Sequence, residues 1–199
     1  MSQFTTPARE ILQGASRCTR NPIVGVTGRR FYAVTSSAAQ RFQKQRAASH
    51  PERSRQADYL KDEVANRITE RLLDVNRHFP RVLDVGANSC NIARSLARPN
   101  PDPDPSKPES PPLSNKLSEL VAIESSEAML YRDADLDFNK QLNLTRQVVE
   151  DDETIPYESN SFDMVMSSLS LHWVNDLPGI LSQINNVLKP DSPFIGAML

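Results

Sequence analysis

A tight turn that follows a short apolar strand is the part of this sequence best suited to chemistry. The strand is predicted over 82–85, the turn carries Gly86, and a helix is predicted to begin at Asn91. Glycine lets the backbone approach a ligand closely, and the free N–H groups of a helix start point towards it. Asn88 and Cys90 stand where a glycine-rich turn has further glycines, and asparagine tolerates the left-handed backbone that such turns need. The segment therefore predicts a site for a nucleotide-like cofactor at the carboxyl edge of an α/β sheet.

Glu124 stands at the end of the next predicted strand. Thirty-eight positions separate it from Gly86, and nineteen of these belong to the proline-rich segment 98–116, which leaves nineteen. An acid about 20 residues after the glycine turn is the usual partner of ribose hydroxyls. Glu124 is therefore predicted to bind ribose, and the alternative is an ordinary solvated acid at a strand end.

Three aspartates extend this acidic site. Asp151 and Asp152 follow the third predicted strand, where a carboxylate can accept a hydrogen bond from an exocyclic amine such as that of adenine. The alternative for this pair is a solvated acidic turn. Asp84, in the first strand, is expected either to orient the turn or to bind an amino group of the cofactor.

His172 and Asp176 lie in a polar segment after the fourth predicted strand, and functional loops gather at that edge of a sheet. Imidazole titrates near neutrality, so His172 is a candidate general base, and Asp176 is a second candidate catalytic residue. A structural histidine at a strand end is the commoner arrangement, and Trp173 is expected to pack rather than to stack on a substrate. No cysteine or histidine set has zinc spacing, so no metal site is predicted.

Alternating strand and helix patterns surround these residues. Helices are predicted over 58–75, 91–97 and 177–188, with another starting at 126, and strands over 82–85, 117–123, 144–149, 161–169 and 193–199. Asp58 is predicted to cap the first helix, whose apolar stripe includes Tyr59 and Leu60. The alternation predicts an α/β fold with a parallel, Rossmann-like sheet and flanking helices.

Segment 98–116 interrupts this alternation. It holds seven of the fifteen prolines of the chain and few apolar residues. Such a segment cannot bury enough apolar surface to offset the entropy cost of ordering it. It is predicted to be an exposed, disordered insertion, and the alternative is a proline-rich docking ligand.

The first 50 residues differ in charge from the rest. They hold eight Arg and Lys and one acid, whereas the whole chain has a net charge of −2. A leader rich in Arg, Ser and Thr and poor in acids is typical of a mitochondrial presequence. Such a presequence is predicted here over 1–32, with cleavage near Ala33, and the alternative is a disordered basic tail. Residues 33–57 are interpreted as a basic arm and 58–199 as one domain. Because the basic excess is confined to the leader, no nucleic-acid partner is predicted.

These segments resemble the class I S-adenosylmethionine-dependent methyltransferases over about 79–199. Segment 82–86 looks like the first motif of that fold, and 161–165 looks like its fourth strand. The resemblance implies S-adenosylmethionine as the cofactor, with Glu124 at the ribose and the Asp151–Asp152 pair at the adenine. That fold has seven strands, and this chain is expected to contain about five of them.

A narrower resemblance covers about 42–199. Segments 58–64, 167–178, 188–191 and 194–198 are similar to the family of mitochondrial complex I assembly factor 5, which are arginine hydroxylases with the methyltransferase fold. It implies a mitochondrial matrix enzyme that hydroxylates an arginine of an iron–sulfur subunit of respiratory complex I and associates peripherally with the inner membrane. Two alternatives stay open: a conventional methyltransferase for a small-molecule, carrier-bound or protein substrate, and a truncated, non-catalytic interaction protein.

Overall fold

The computed structural model describes residues 44, 46–47, 49–99 and 111–199 of the chain. The helices are α1 (Pro51–Ala57), α2 (Tyr59–Glu70), α3 (Asn91–Leu96), α4 (Glu127–Leu130) and α5 (Leu177–Val187), and Lys44, Arg46 and Ala47 are also helical. The strands are β1 (Phe79–Val85), β2 (Leu117–Glu124), β3 (Leu144–Val148), β4 (Met164–Ser168) and β5 (Phe194–Ala197). Short 3-10 helices lie at Leu113–Lys116, Asp137–Lys140 and Leu171–Trp173.

The strands form one parallel sheet in the order β3-β2-β1-β4-β5. The central strand β1 pairs with β2, from Phe79 opposite Leu117 to Val85 opposite Ile123, and with β4 on its other side. The carboxyl ends of the strands therefore lie at one edge. The strand order reverses at β1, and ligands bind at such a point in open α/β sheets. The predicted α/β fold with a Rossmann-like parallel sheet is confirmed.

Apolar side chains cover both faces of this sheet. On β1, Val82 packs into a cluster with α2 and α3, whereas Leu83 and Val85 belong to a second cluster with α5. Ile180 and Ile184 of α5 are buried four residues apart, which places both on the same face of the helix. A strand that is buried on both faces reads as a nearly continuous apolar run, and this explains the sequence of β1.

A buried ion-pair network joins the N-terminal helices to the loop after α4. The side chains of Arg132 and Asp133, each 1% exposed, lie at its centre. Arg132 donates hydrogen bonds to Asp58 and to Asp133. Asp133 also accepts a hydrogen bond from Arg94 of α3 at 2.7 Å, and Arg94 binds Asp62 of α2 at 3.0 Å. Pairing removes much of the cost of burying these charges, so the network fixes α2 and α3 against the loop.

The first helix differs from its prediction in its start, its end and its exposed face. Asp58 precedes α2, but its side chain makes no capping hydrogen bond, because it pairs with Arg132. The helix ends at Glu70 rather than at residue 75. Tyr59 and Leu60 are exposed, so the predicted apolar stripe is wrong for these two residues. Its later members are confirmed: Ile68 is buried in the core cluster, and Val64 packs against it.

The end of the predicted insertion is ordered. Leu113 and Ser114 are buried in a 3-10 helix, and Leu113 joins the core cluster on the α2 and α3 side of the sheet. The ammonium group of Lys116 donates to the carbonyl of Val75 at 2.6 Å. The prediction of exposure and disorder is therefore wrong for this end of the segment, because an apolar residue anchors it.

Two sequence predictions concern residues outside those that the structure describes. The presequence over 1–32 with its cleavage position near Ala33 is one, and the centre of the insertion, 100–110, is the other. Both stay predictions. Among the described residues, no helix is both long and apolar enough to cross a membrane.

Candidate functional site

The turn between β1 and α3 has a left-handed backbone at three positions. Gly86, Asn88 and Cys90 have φ angles of +68°, +52° and +58°. The N–H groups of Gly86 and Ala87 both donate to the carbonyl of Ile123 at 3.0 Å, which ties the turn to β2. The turn therefore forms with a single glycine, and Asn88 takes the left-handed backbone that its residue type predicts.

Gly86 also packs against the loop that follows β4. A Cβ atom at Gly86 would lie 1.7 Å from Oγ of Ser170, far inside van der Waals contact. Glycine is thus required here for two reasons, the positive φ angle and the approach of the second loop. The contact brings the ends of β1 and β4 together.

Glu124 is fully buried at the end of β2 and binds the backbone of both neighbouring loops. Its Oε2 accepts the N–H of Asn88 at 2.9 Å. Its Oε1 accepts the N–H groups of Ser125 and Ser126 at 2.9 and 3.2 Å. The acid that the spacing predicts to bind ribose therefore lies directly beside the glycine turn.

Lys44 supplies a cation to this buried acid. Its Nζ lies 2.6 Å from Oε1 of Glu124 and 3.3 Å from Oδ2 of Asp152, and all three side chains are at most 13% exposed. Burial by itself would lower the pKa of Lys44, but the negative charges of Glu124 and Asp152 outweigh it and raise the pKa above its ordinary value. The lysine is therefore charged at neutral pH and bridges the ends of β2 and β3.

Asp84 is the unusual acid of the site. It is 1% exposed, and neither carboxyl oxygen has a hydrogen-bond partner among the described residues. Burial raises the pKa of Asp84 to about 8, and the nearby charge of Glu124 contributes to the rise. Within the described part of the chain, the Asp84 side chain forms no hydrogen bond that would orient the turn. A buried polar group without a partner calls for an explanation such as a ligand.

Two cavities are lined by residues of the glycine turn. A narrow cleft is lined by Gly86, Ser170, Asp151 and Asp152, among others. The larger cavity, of about 190 Å³, is lined by Lys44, Ala47, Lys61, Asn88, Met129, Leu169 and Trp173. Trp173 was expected to pack, and it is 44% exposed at the wall of this cavity.

Lys61 of α2 gives the larger cavity a second ammonium group. Its Nζ donates to Oδ1 of Asn88 at 3.2 Å, and within the described part of the chain it forms no salt bridge. Burial lowers the pKa of Lys61 below its ordinary value, although Asp58 and Glu124 attract the charged form. Sequence reasoning missed both Lys44 and Lys61. Lys61 lies within the singled-out segment 58–64, but no spacing rule points to Lys44 in the basic arm.

The two candidate catalytic residues are not among the lining of either cavity, although Leu171 and Trp173, on either side of His172, line one cavity each. His172 is partly buried, its ring lies 4.9 Å from the ring of Trp173, and its Nδ1 has no partner among the residues described. Burial lowers the pKa of His172. Asp176 caps α5, where its Oδ1 accepts the N–H of Gly179 at 3.0 Å. Neither residue lines the cleft or the larger cavity.

The chain is similar in sequence to methyltransferase-like proteins. Residues 108–196 match the methyltransferase domain family. The chain is 37% identical to the mitochondrial arginine-hydroxylase NDUFAF5 of Danio rerio over 188 residues, 94% of the chain and 50% of that protein. It is 37% identical to the human protein of the same name, over 87% of the chain and 44% of that protein. A malonyl-[acyl-carrier protein] O-methyltransferase of Halorhodospira halophila is 33% identical over 70% of the chain and 42% of that protein.

Solved structures share the fold at low sequence identity. A SAM-dependent methyltransferase of Leishmania major aligns with a TM-score of 0.55 and 15% identity, over 78% of this chain and 58% of that one. Phosphoethanolamine N-methyltransferase 1 of Haemonchus contortus aligns with a TM-score of 0.56 and 10% identity, over 81% and 33% of the two chains. These similarities show a class I methyltransferase fold. The chain spans about half the length of the curated relatives that it matches.

Proposed function

Since this chain is a homologue of the NDUFAF5 arginine-hydroxylases, we propose that it is an S-adenosylmethionine-binding enzyme of mitochondrial complex I assembly, which hydroxylates an arginine of an iron–sulfur subunit. One observation carries the cofactor assignment. The buried carboxylate of Glu124 lies at the end of β2 and accepts the N–H of Asn88 in the glycine turn, which is where a nucleoside-binding acid is needed.

The residues of the site fit the parts of this cofactor. Glu124 would accept the ribose hydroxyls, and Asp151 and Asp152 would face the adenine amine across the narrow cleft. Asp84, buried without a partner among the described residues, would receive the α-ammonium group. Lys61, an ammonium without a salt bridge in this part of the chain, would hold the α-carboxylate.

The turn residues would support the cofactor through the backbone. Gly86 lets the chain pass close to the ligand, and Asn88 positions Lys61 through its side-chain oxygen. When bound, S-adenosylmethionine carries an activated methyl group on a sulfonium centre. The apolar wall of Met129, Leu169 and Trp173 would exclude water from that end of the cavity.

A pair of ligands tests this placement in the full chain. S-adenosylhomocysteine contains the amino-acid part of the cofactor, with its α-ammonium and α-carboxylate groups, whereas methylthioadenosine lacks that part. The chain has one tryptophan, Trp173, so its fluorescence can report binding in the larger cavity. Lys61→Met should weaken S-adenosylhomocysteine about tenfold and leave methylthioadenosine unchanged, because only the former has a carboxylate to pair.

The ribose contact needs its own variant. Glu124→Gln should weaken both ligands about tenfold, because both carry ribose. The matched control is Glu119→Gln on the same strand, where the carboxylate pairs with Arg81 away from the site. Equal affinity of wild type and Glu124→Gln for both ligands would remove Glu124 from the cofactor site.

A conventional methyltransferase is the second candidate function, because residues 108–196 match the methyltransferase domain family and a carrier-protein methyltransferase is among the relatives. Incubation of the full chain with the iron–sulfur subunit, S-adenosylmethionine, molecular oxygen and an electron donor, followed by intact-mass analysis, separates the candidates. A gain of one oxygen on an arginine supports hydroxylation, and a gain of one methyl group supports the second candidate. Binding without any change of mass would favour the third reading, an interaction protein.

We propose that the protein lies in the mitochondrial matrix and associates peripherally with the inner membrane through its partner complex. The support is the naming of the relatives as mitochondrial and the basic leader over 1–32. N-terminal sequencing of protein taken from mitochondria should begin near Ala33. A mature chain that retains Met1, or one found only in the cytosol, would contradict this placement.

A further inference from the structure

A lysine from the basic arm is bound by the acids that the proposed cofactor site needs. Lys44 precedes Glu124 by 80 residues and Asp152 by 108, so its contacts are tertiary contacts rather than local ones. Its Nζ lies 2.6 Å from Glu124 and 3.3 Å from Asp152. These two carboxylates come from different strand ends, and Lys44 joins them.

One carboxylate oxygen of Glu124, Oε1, is already surrounded by donors in this arrangement. Oε1 receives the backbone N–H groups of Ser125 and Ser126, the hydroxyl of Ser125 at 3.3 Å and the ammonium of Lys44, whereas Oε2 receives the N–H of Asn88. A carboxylate offers about four lone-pair sites in all. Since about two of those sites belong to each oxygen, a ribose hydroxyl that bonds to Oε1 must replace a donor. Lys44 and the Ser125 hydroxyl are the side-chain donors to this oxygen, and of these two Lys44 is the charged one and comes from a distant segment.

The electrostatics favour this lysine contact while no ligand is present. Glu124 is fully buried and the side chain of Asp152 is 8% exposed, so two unpaired carboxylates here would be costly. An ammonium group compensates both of them. Hydroxyl and amine donors of a nucleoside would satisfy the same oxygens and would release the lysine.

We propose that Lys44 is a latch on the nucleoside subsite: it closes the Glu124–Asp152 pair when the subsite is empty and leaves when a nucleoside binds. The inference rests on the proposed cofactor site. It predicts that the basic arm lowers the affinity for the cofactor and becomes mobile on binding. The opposite arrangement, in which Lys44 stays and contacts the ligand, makes the opposite predictions.

The first test is the affinity of the full chain for S-adenosylhomocysteine. Lys44→Met removes the charge and keeps the length of the side chain, and it should tighten binding about fivefold, the upper end of what an ion pair in contact with solvent contributes. The control is Arg46→Met, an exposed cation on the same arm, which should leave the affinity unchanged. Equal or weaker binding by Lys44→Met would overturn the latch.

The second test uses the wild-type chain and so does not depend on how well the variant folds. Hydrogen exchange of the amides around residues 44–50 should become faster at saturating S-adenosylhomocysteine, because the latch opens. Slower exchange there would make Lys44 a ligand contact and would overturn the proposal. Binding to neither wild type nor Lys44→Met would contradict the cofactor site itself, whereas equal binding to both with an unchanged arm would contradict only the latch.

Discussion

Replacement of Asp84 by asparagine should stabilise the protein at neutral pH. The carboxyl group is buried at the end of β1 and has no hydrogen-bond partner among the described residues. Burial, with a contribution from Glu124, raises its pKa from an ordinary 3.8 to about 8. Asparagine has the same shape as the protonated acid and never ionises, so it removes the cost of keeping a proton on Asp84.

The size and sign of the expected change in the free energy of unfolding follow from proton linkage. Between pH 4 and pH 8 the folded state keeps the Asp84 proton while the unfolded state loses it, so the free energy of unfolding falls as pH rises. Each pKa unit is worth about 1.4 kcal/mol. Three units separate pH 7 from the ordinary pKa, which gives a penalty of about 4 kcal/mol as an upper bound. Below pH 4 both states are protonated, and the penalty vanishes.

Urea denaturation of wild type and Asp84→Asn from pH 5 to pH 8 measures this difference. The variant should be more stable at every pH, and the gap should widen as pH rises. The matched control is Asp163→Asn, since Asp163 is also buried but binds the N–H of Arg81 and the ammonium of Lys189. That control should be destabilised by about 1–3 kcal/mol at pH 7. A gap between wild type and Asp84→Asn that stays the same from pH 5 to pH 8 would refute the reasoning.

Three further substitutions test the packing around the site. Gly86→Ala should lower the free energy of unfolding by about 1–3 kcal/mol, because alanine disfavours the positive φ angle and its methyl group would clash with Ser170. A second substitution in the same chain, Ser170→Gly, should restore part of the loss. Arg132→Met should cost about 3–5 kcal/mol, because it leaves the buried Asp58 without a salt bridge among the described residues, whereas Asp133 keeps Arg94; a loss below 1 kcal/mol in urea denaturation would contradict the network. Asp176→Ala should cost about 1 kcal/mol through loss of the α5 cap and leave the affinity for S-adenosylhomocysteine unchanged; weaker binding would return Asp176 to the site.

The local features of the site could be predicted from sequence because their causes are local. Glycine and asparagine set the turn, and both Gly86 and Asn88 take the left-handed backbone. The buried strand β1 shows as an apolar run. The position of Glu124 follows from the length of one strand–helix–strand unit after the insertion is removed, and its carboxylate does reach the turn.

Contacts between distant segments could not be predicted in this way. Asp58 has the residue type of a helix cap, but Arg132, 74 positions away, binds its carboxylate instead. Leu113 lies at the end of a proline-rich segment, and only the assembled core shows that one apolar residue orders that end. The exposure of Tyr59 likewise depends on which part of α2 meets the sheet.

The same distinction decides what controls ligand affinity at this site. A turn with few glycines is expected to bind a cofactor weakly. Asn88 and Cys90 nevertheless adopt the left-handed backbone that further glycines would supply. The number of glycines therefore does not limit the turn. The acceptors of Glu124 are instead shared with Lys44, a residue of the arm that precedes the predicted domain. If the latch operates, affinity for a nucleoside depends on a charge that lies outside the methyltransferase-like segment, so the full chain with Lys44→Met should bind S-adenosylhomocysteine more tightly than the wild type.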